Sequence, residues 1–270
     1  MTITFLIDNK TEDPACVAEW GLSMFLETGG RKILFDTGAS GLFTQNAQAL
    51  GIDLKEAEMC LISHGHQDHT DGMAAFEAIN KTAPVYLHQD ALMPFFGAGD
   101  DYNSGILWSD ELKDALKDRL VFTHGVYRLD DRLTLVGNIP NYEGYEPTET
   151  FYTLKDGVRV PDPMDHEQFL VAEEGDRIHI VSGCCHKGLI PSILYAKELF
   201  PGKKIASFTG GLHTYKLDAP ARLELVRRLK ELGVEKIVPL HCTGMNMILT
   251  FKQELGDDCL IACAGDRIEL

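Results

Sequence analysis

The chain has little that would tie it to nucleic acid or to a membrane. Its 25 Lys and Arg residues face 41 Asp and Glu, a formal net charge of -16, and no run of basic residues interrupts that balance. A field of that sign repels phosphate backbones and anionic lipid, so neither partner is expected. No stretch approaches the roughly 18 apolar residues that a membrane span needs. The first ten residues hold no basic segment before their apolar run stops at Asp8, so no secretory leader is expected either. Cysteine is sparse: Cys16, Cys60, Cys184, Cys185, Cys242, Cys259 and Cys263 make an odd number without a repeated spacing. Reduced thiols in a cytoplasm fit that better than a disulfide framework. Internal repeats, a dinucleotide fingerprint and a P-loop are also missing. What is there suits a soluble globular protein: 270 residues, 44% hydrophobic and 24% charged, enough for one large core.

Short apolar segments bounded by turn residues predict strands at 2–7, 32–35, 58–62 and 84–88. Ser40 should cap a helix running to about Leu50, with Gly51 as its stop. From about 91 to 163 the pattern loosens, with Gly97, Gly99, Gly105, Pro140, Gly144 and Pro147 in stretches without a period. A helix is expected there at 109–117 and a strand at 133–136. This segment is read as an irregular insertion in a single domain spanning 1–270, shaping one wall of a pocket; a surface excursion is the alternative. Further on, strands are expected at 169–172, 177–181, 204–208 and 236–240, and a helix at 191–199. Asp218 should cap another helix, with Leu223, Val226, Leu229 and Leu232 on one face and Gly233 as the stop. Strands dominate early and alternate with helices late. That mixture predicts an α/β (α+β) fold of packed sheets with helices outside.

The chemistry concentrates in Ser63-His64-Gly65-His66-Gln67-Asp68-His69, directly after the apolar run 59–62. A strand ending there would present His64 and His66, two residues apart, on one side. The chain then turns, and Asp68 and His69 return on the first turn of a helix. A lone histidine is usually structural, but three imidazoles and a carboxylate within six residues predict a metal site. Neutral imidazole suits zinc, iron and similar ions, and a carboxylate compensates charge and orients water. Such an ion lowers the pKa of a bound water toward about 7. A structural site in a reduced cytosolic protein would more often recruit thiolates, and none lies in this cluster.

His-x-His-x-Asp-His after a strand resembles the signature of the metallo-β-lactamase superfamily. The resemblance runs nearly end to end. It takes in Asp8-Asn9, the segment Ala18-Glu19-Trp20-Gly21-Leu22-Ser23, Leu34-Phe35-Asp36-Thr37-Gly38, Gly183-Cys184-Cys185-His186, Gly210 to His213 and His241-Cys242-Thr243-Gly244. These point to the subgroup labelled 7,8-dihydropterin-6-methyl-4-(β-D-ribofuranosyl)aminobenzene 5′-phosphate synthase-like. The resemblance implies a four-layer αββα sandwich carrying two divalent metal ions, zinc first and iron or manganese as alternatives. His64 and His66 would serve the first ion. Asp68 and His69 would serve the second, His241 would complete that site, and His186 would be the remaining ligand. The Asp that usually bridges the ions is missing from Ser182-Gly183-Cys184 and from Thr209-Gly210-Gly211. Solvent, Asp165 or Cys184 is left to take its place, or the two sites are unequal. Trp20 stands where the subgroup tends to have histidine, and Asp71 where it often has glycine, which implies a different substrate preference.

Asp36 is expected to orient a ligand histidine, and His213 to contact substrate or metal. His88, His124 and His179 are read as structural, and Cys185 as packed. Three functions follow. The first is a cytoplasmic metal-dependent hydrolase acting on a small molecule through activated water, with Asp68 and His213 as catalytic residues. The second is a methanopterin-type synthase joining a pterin to a ribosylaminobenzene phosphate, with Lys187, Lys203 and Lys204 as candidate phosphate partners. The third is a di-iron redox or sensor protein.

Overall fold

A computed structural model of the chain describes residues 1–99 and 102–270. Residues 1 to 124 supply β1 (Thr2–Ile7), β2 (Ser23–Thr28), β3 (Arg31–Phe35), α1 (Leu42–Ala49) and β4 (Met59–Leu61). They continue with α2 (Gln67–Thr70), α3 (Met73–Ile79), β5 (Val85–His88), β6 (Phe95–Phe96), α4 (Asp110–Leu116) and β7 (Leu120–Thr123). Next come β8 (Val126–Arg128), β9 (Leu133–Gly137), the hairpin β10 (Tyr152–Lys155) and β11 (Val158–Pro161), and β12 (Gln168–Glu174). The chain closes with β13 (Arg177–Val181), α5 (Leu189–Leu199), β14 (Lys204–Gly211), α6 (Ala219–Leu232), β15 (Ile237–Leu240), α7 (Met245–Leu255) and β16 (Arg267–Glu269).

These elements form two compact units. The first comprises Met1–His124, Thr150–His166 and Cys263–Glu269. Its main sheet has the order β16-β1-β2-β3-β4-β5-β7, antiparallel up to β3 and parallel from β3 onward. Met59, Cys60 and Leu61 are all buried, as expected of a central parallel strand covered on both faces. Phe43, Met73, Phe76 and Leu116 from α1, α3 and α4 pack with Leu34, Cys60 and Val85 into one core. A small antiparallel sheet, β11-β10-β6, belongs to the same unit.

The second unit holds Gly125–Glu149 and Glu167–Ala262. Its sheet runs β15-β14-β13-β12-β9-β8, with β13, β14 and β15 parallel. Helices α5, α6 and α7 pack their apolar residues, among them Ile193, Val226, Leu229 and Phe251, against Phe169, Ile180 and Phe208. As expected, Asp218 caps α6, its carboxylate accepting from Ala221 N–H at 2.9 Å, and Gly233 ends it in the left-handed region at φ 70°. One detail differs. Val226, Leu229 and Leu232 face the core as expected, but Leu223 is 51% exposed and Leu225 takes its place against the core.

The segment 91–163 is more regular than its sequence suggests, holding α4 and strands β6 to β11 among its described residues. Strand β2, which no expected segment covered, is buried along Ser23–Leu26. Helix α7 was not anticipated either. Among the described residues no helix is long and apolar enough to cross a membrane.

Candidate metal centre

In the first unit the donors lie on one turn. β4 ends at Leu61, so His64 and His66 do not sit on the strand as expected but on the turn after it. The reason lies in the backbone. Ser63 N–H is taken by Asp36 Oδ1 at 2.7 Å and Gly65 N–H by His166 Nδ1 at 3.0 Å, instead of by a ladder partner. The imidazoles still meet: ring centroids are 4.6 Å apart for His64 and His66, and 4.3 Å for His64 and His69. Asp68 and His69 do return on the first turn of a helix, α2, with His69 Nε2 3.9 Å from Asp68 Oδ1.

Asp36 organises this turn from the end of β3, held at φ 57° and wholly buried. Its Oδ2 accepts from Ser63 Oγ at 2.7 Å and lies 2.7 Å from His69 Nδ1. A carboxylate there accepts, so His69 carries its proton on Nδ1 and its lone pair on Nε2. Ser63 gives its one hydroxyl proton to Asp36, so it accepts from His64 Nδ1–H at 2.9 Å, and His64 takes the same tautomer. One carboxylate therefore sets two imidazoles in the metal-binding form, which is how outer partners of metal ligands act. The expected contact of Asp36 with a candidate ligand histidine is present.

His66 is held differently. It packs against Phe151, Phe95 and His166, with centroids 4.8, 5.7 and 5.8 Å away. Burial pushes its pKa down to about 3, with the neighbouring His166 adding to the effect, so the ring is neutral near pH 7. Gly65 is obligatory beside it, because a Cβ would stand 2.2 Å from the Ala91 carbonyl oxygen. The sequence reading missed His166. It accepts from Gly65 N–H, so its other nitrogen donates to Asp162 Oδ2 at 3.0 Å, and its ring stacks on Phe95 at 4.0 Å. The Asp162 to His166 spacing of four residues was the available signal. Asp165 lines a cavity of about 730 Å³ with His166, Phe95 and residues of the β10–β11 hairpin.

In the second unit the donors follow three parallel strands. Cys184 and His186 come after β13, His213 after β14, and His241 and Cys242 after β15. One donor atom from each of Cys184, His241 and Cys242 lies within 4.8 Å of the others. Cys185, His213 and His241 adopt positive φ of 57°, 48° and 48°, a conformation that persists only where the surroundings impose it. Glu167, another residue missed from sequence, accepts from His186 N–H at 2.6 Å and Lys187 N–H at 2.9 Å and so pins that turn. The His213 ring lies tilted against His186 with centroids 4.5 Å apart, and its Nδ1 is 3.7 Å from Glu149 Oε2.

Other expectations resolve simply. His179 bonds Ser207 Oγ at 2.8 Å, and His88 pairs with His124 at 5.6 Å. Cys185 is packed in the core, where burial pushes its thiol pKa well up. All seven cysteines are buried as thiols. Lys203 and Lys204 lie at the start of β14, the opposite end from His213, and engage Glu173 at 3.1 Å and Asp176 at 3.7 Å. Strand direction therefore removes them as phosphate partners at the His213 end, leaving Lys187.

Each unit thus carries its own group of metal-type donors, imidazoles and a carboxylate after β4 in the first, imidazoles and thiols after β13, β14 and β15 in the second. Residues 21–202 match the profile of the metallo-beta-lactamase superfamily. The chain belongs to that superfamily. A 7,8-dihydropterin-6-methyl-4-(beta-D-ribofuranosyl)-aminobenzene-5'-phosphate synthase of Methanocaldococcus jannaschii is 28% identical over 267 residues, covering 93% of this chain and 90% of that protein. An uncharacterized protein of the same organism is 30% identical over 254 residues, covering 93% and 94%. Among solved structures, Tm1679, described as a metal-dependent hydrolase of the beta-lactamase superfamily, superposes with a TM-score of 0.88 at 30% identity, covering 100% of this chain and 99% of that one. The metallo-β-lactamase fold expected from sequence is thereby shown, and that fold implies divalent metal binding.

Proposed function

We propose that the protein is a metal-dependent hydrolase acting on a small molecule. The observation that carries the reading is the Asp36 carboxylate, which fixes His69 directly and His64 through Ser63 in the tautomer that ligates metal. His64, His66, Asp68 and His69 are proposed to hold two divalent ions, most simply zinc, together with His186 and His241 of the second unit. When bound, such ions supply Lewis acidity and a water whose pKa falls toward about 7.

The chain's own groups then have definable tasks. Asp68, on the first turn of α2, orients the attacking water and accepts its proton. His213 donates to the oxygen on which negative charge develops. Its Nδ1 faces Glu149, which Tyr215 and Lys216 also hold at 2.9 and 2.7 Å, so the imidazole is oriented. The cavity beside His166 is proposed to take the part of the substrate away from the reacting bond. Segment 91–163 supplies Met93, Phe95, Leu154 and Val160 to its wall.

Metal content and turnover measured together test this reading. Protein loaded with zinc should hydrolyse at least one member of a panel of chromogenic phosphate esters, carboxylic esters and lactams. His66→Ala should lose metal and turnover in parallel. Full activity in a chelated, metal-free sample would sink the hydrolase mechanism. The Methanocaldococcus relative favours a second reading, a synthase joining a dihydropterin to a ribofuranosylaminobenzene phosphate, with Lys187 as the remaining basic candidate. Product formation only when both of those substrates are supplied would select it. A di-iron or sensor protein would instead be coloured as isolated, with iron by elemental analysis and no turnover on either set.

A further inference from the structure

The donors that follow β13 and β15 differ in kind from those on the turn after β4. Cys184, His241 and Cys242 are all buried, and their donor atoms lie within 4.8 Å of one another although 58 residues separate the two cysteines. Strand β14 brings them together. It runs between β13 and β15 and ends in Gly210 and Gly211. A Cβ at Gly210 would stand 2.2 Å from the Ser182 carbonyl oxygen, and one at Gly211 would stand 2.7 Å from both Cys242 Sγ and the Gly183 carbonyl oxygen. Only bare backbone lets the flanking turns close over this strand end.

The two thiols are not equivalent. Cys242 Sγ accepts from His213 N–H at 3.2 Å and donates to the Cys184 carbonyl oxygen at 3.7 Å. Its proton and a lone pair are thus used on backbone, and it props the turn that carries Cys184. We infer that the Cys184 thiolate and the His241 imidazole bind one divalent ion as a sulfur–nitrogen pair, while Cys242 stays a thiol. On binding, the Cys184 thiol releases its proton to solvent, sulfur donates an electron pair to the ion, and the ion gives up a water of hydration. No oxidant or reductant takes part. A thiolate at this position selects zinc or cobalt over magnesium, calcium or manganese, which prefer oxygen. It also contributes one negative charge, as a carboxylate would. This inference rests on the metal-binding reading above and adds a ligand to it.

Cobalt(II) titrated into the metal-stripped full chain tests it. Expected are visible d–d absorption and, with it, a near-ultraviolet sulfur-to-cobalt charge-transfer band. Cys184→Ser should lose that band, keep d–d absorption and bind more weakly by about tenfold or more, whereas Cys242→Ala should keep the band. A d–d spectrum without charge transfer in the unaltered chain overturns the inference and leaves metal binding intact. No cobalt uptake at all overturns both. A band that survives Cys184→Ser also overturns it. X-ray absorption on the zinc-loaded chain adds a second readout: one Zn–S vector at about 2.3 Å that persists in Cys242→Ala supports the inference, and none in the unaltered chain overturns it.

Discussion

The two donor sets are built by opposite means. In the first unit, four candidate ligands occupy six consecutive residues, and one carboxylate from the end of the neighbouring strand orients two of them, His64 and His69. In the second, the donors come from three strand ends, where Gly210 and Gly211 let the turns close and the Glu167 carboxylate pins the one carrying His186. The first set takes its ring orientation from hydrogen bonds to Asp36, and the second takes its Cys184, His241 and Cys242 cluster from close backbone approach at the end of β14. They should therefore fail differently: the first by losing orientation within a folded chain, the second by losing the local fold itself.

The largest effect should come from Asp36→Ala. Three hydrogen bonds to a buried carboxylate disappear, for a loss of about 4 kcal/mol or more at roughly 1.5 kcal/mol each. Zinc affinity should fall about 10- to 100-fold. Chemical denaturation and competition with a zinc chelator read the two effects separately. Asp36→Asn, which can still accept from Ser63, should recover part of the stability but not the His69 tautomer. Gly210→Ala comes next, at about 3 kcal/mol, because its Cβ meets Ser182 backbone at a φ of 148°. A denaturation midpoint equal to the parent's would break the contrast, since the second set would then not depend on bare backbone.

His166→Ala should be milder, costing about 1 to 2 kcal/mol in stability and about tenfold in metal affinity. It removes the acceptor for Gly65 N–H, the donor to Asp162 and the ring packed on Phe95 and His66, but none of the proposed ligands. Isothermal titration with zinc measures it, and an unchanged affinity would show that the histidine turn holds its shape unaided. Asp218→Ala is the reference point. Loss of the α6 cap should lower stability by about 1 kcal/mol and leave zinc binding as it was, measured on the same samples.

The contrast also explains what could be read from sequence. β1 and β13 are delimited by their own residues, so the expected bounds 2–7 and 177–181 coincide with the observed strands. Asp218 announces α6 because a cap is a local signal, whereas Ser40, read in the same way, stands one residue before the cap position of α1, which is Gly41. The histidine turn is legible for the same reason. The β10–β11 hairpin carried a usable sign, Asp156-Gly157, whose φ of 52° and 76° make the turn such a pair favours, but its strands are too short and exposed for periodicity to mark. Glu167 was out of reach for another reason, and Cys184 could be named only as one of several candidate bridges. Glu167 acts on a turn 19 residues away, and Cys184 meets Cys242 and His241 only once β13, β14 and β15 lie side by side. Spacing along the chain carries no trace of either.

Asp36 has one more consequence, for portability. The motif His-x-His-x-Asp-His looks self-contained, yet two of its rings owe their tautomer to a residue 27 positions before Ser63, on a different strand. β3 and β4 are parallel neighbours, Phe35 opposite Leu61, which is what delivers that carboxylate to the turn. Grafted onto the end of an isolated strand, the same six residues would carry every donor and no means of aiming them. The transplantable unit is the adjacent pair of strand ends, and a designer who copies the motif without its neighbour copies the letters and leaves the grammar behind.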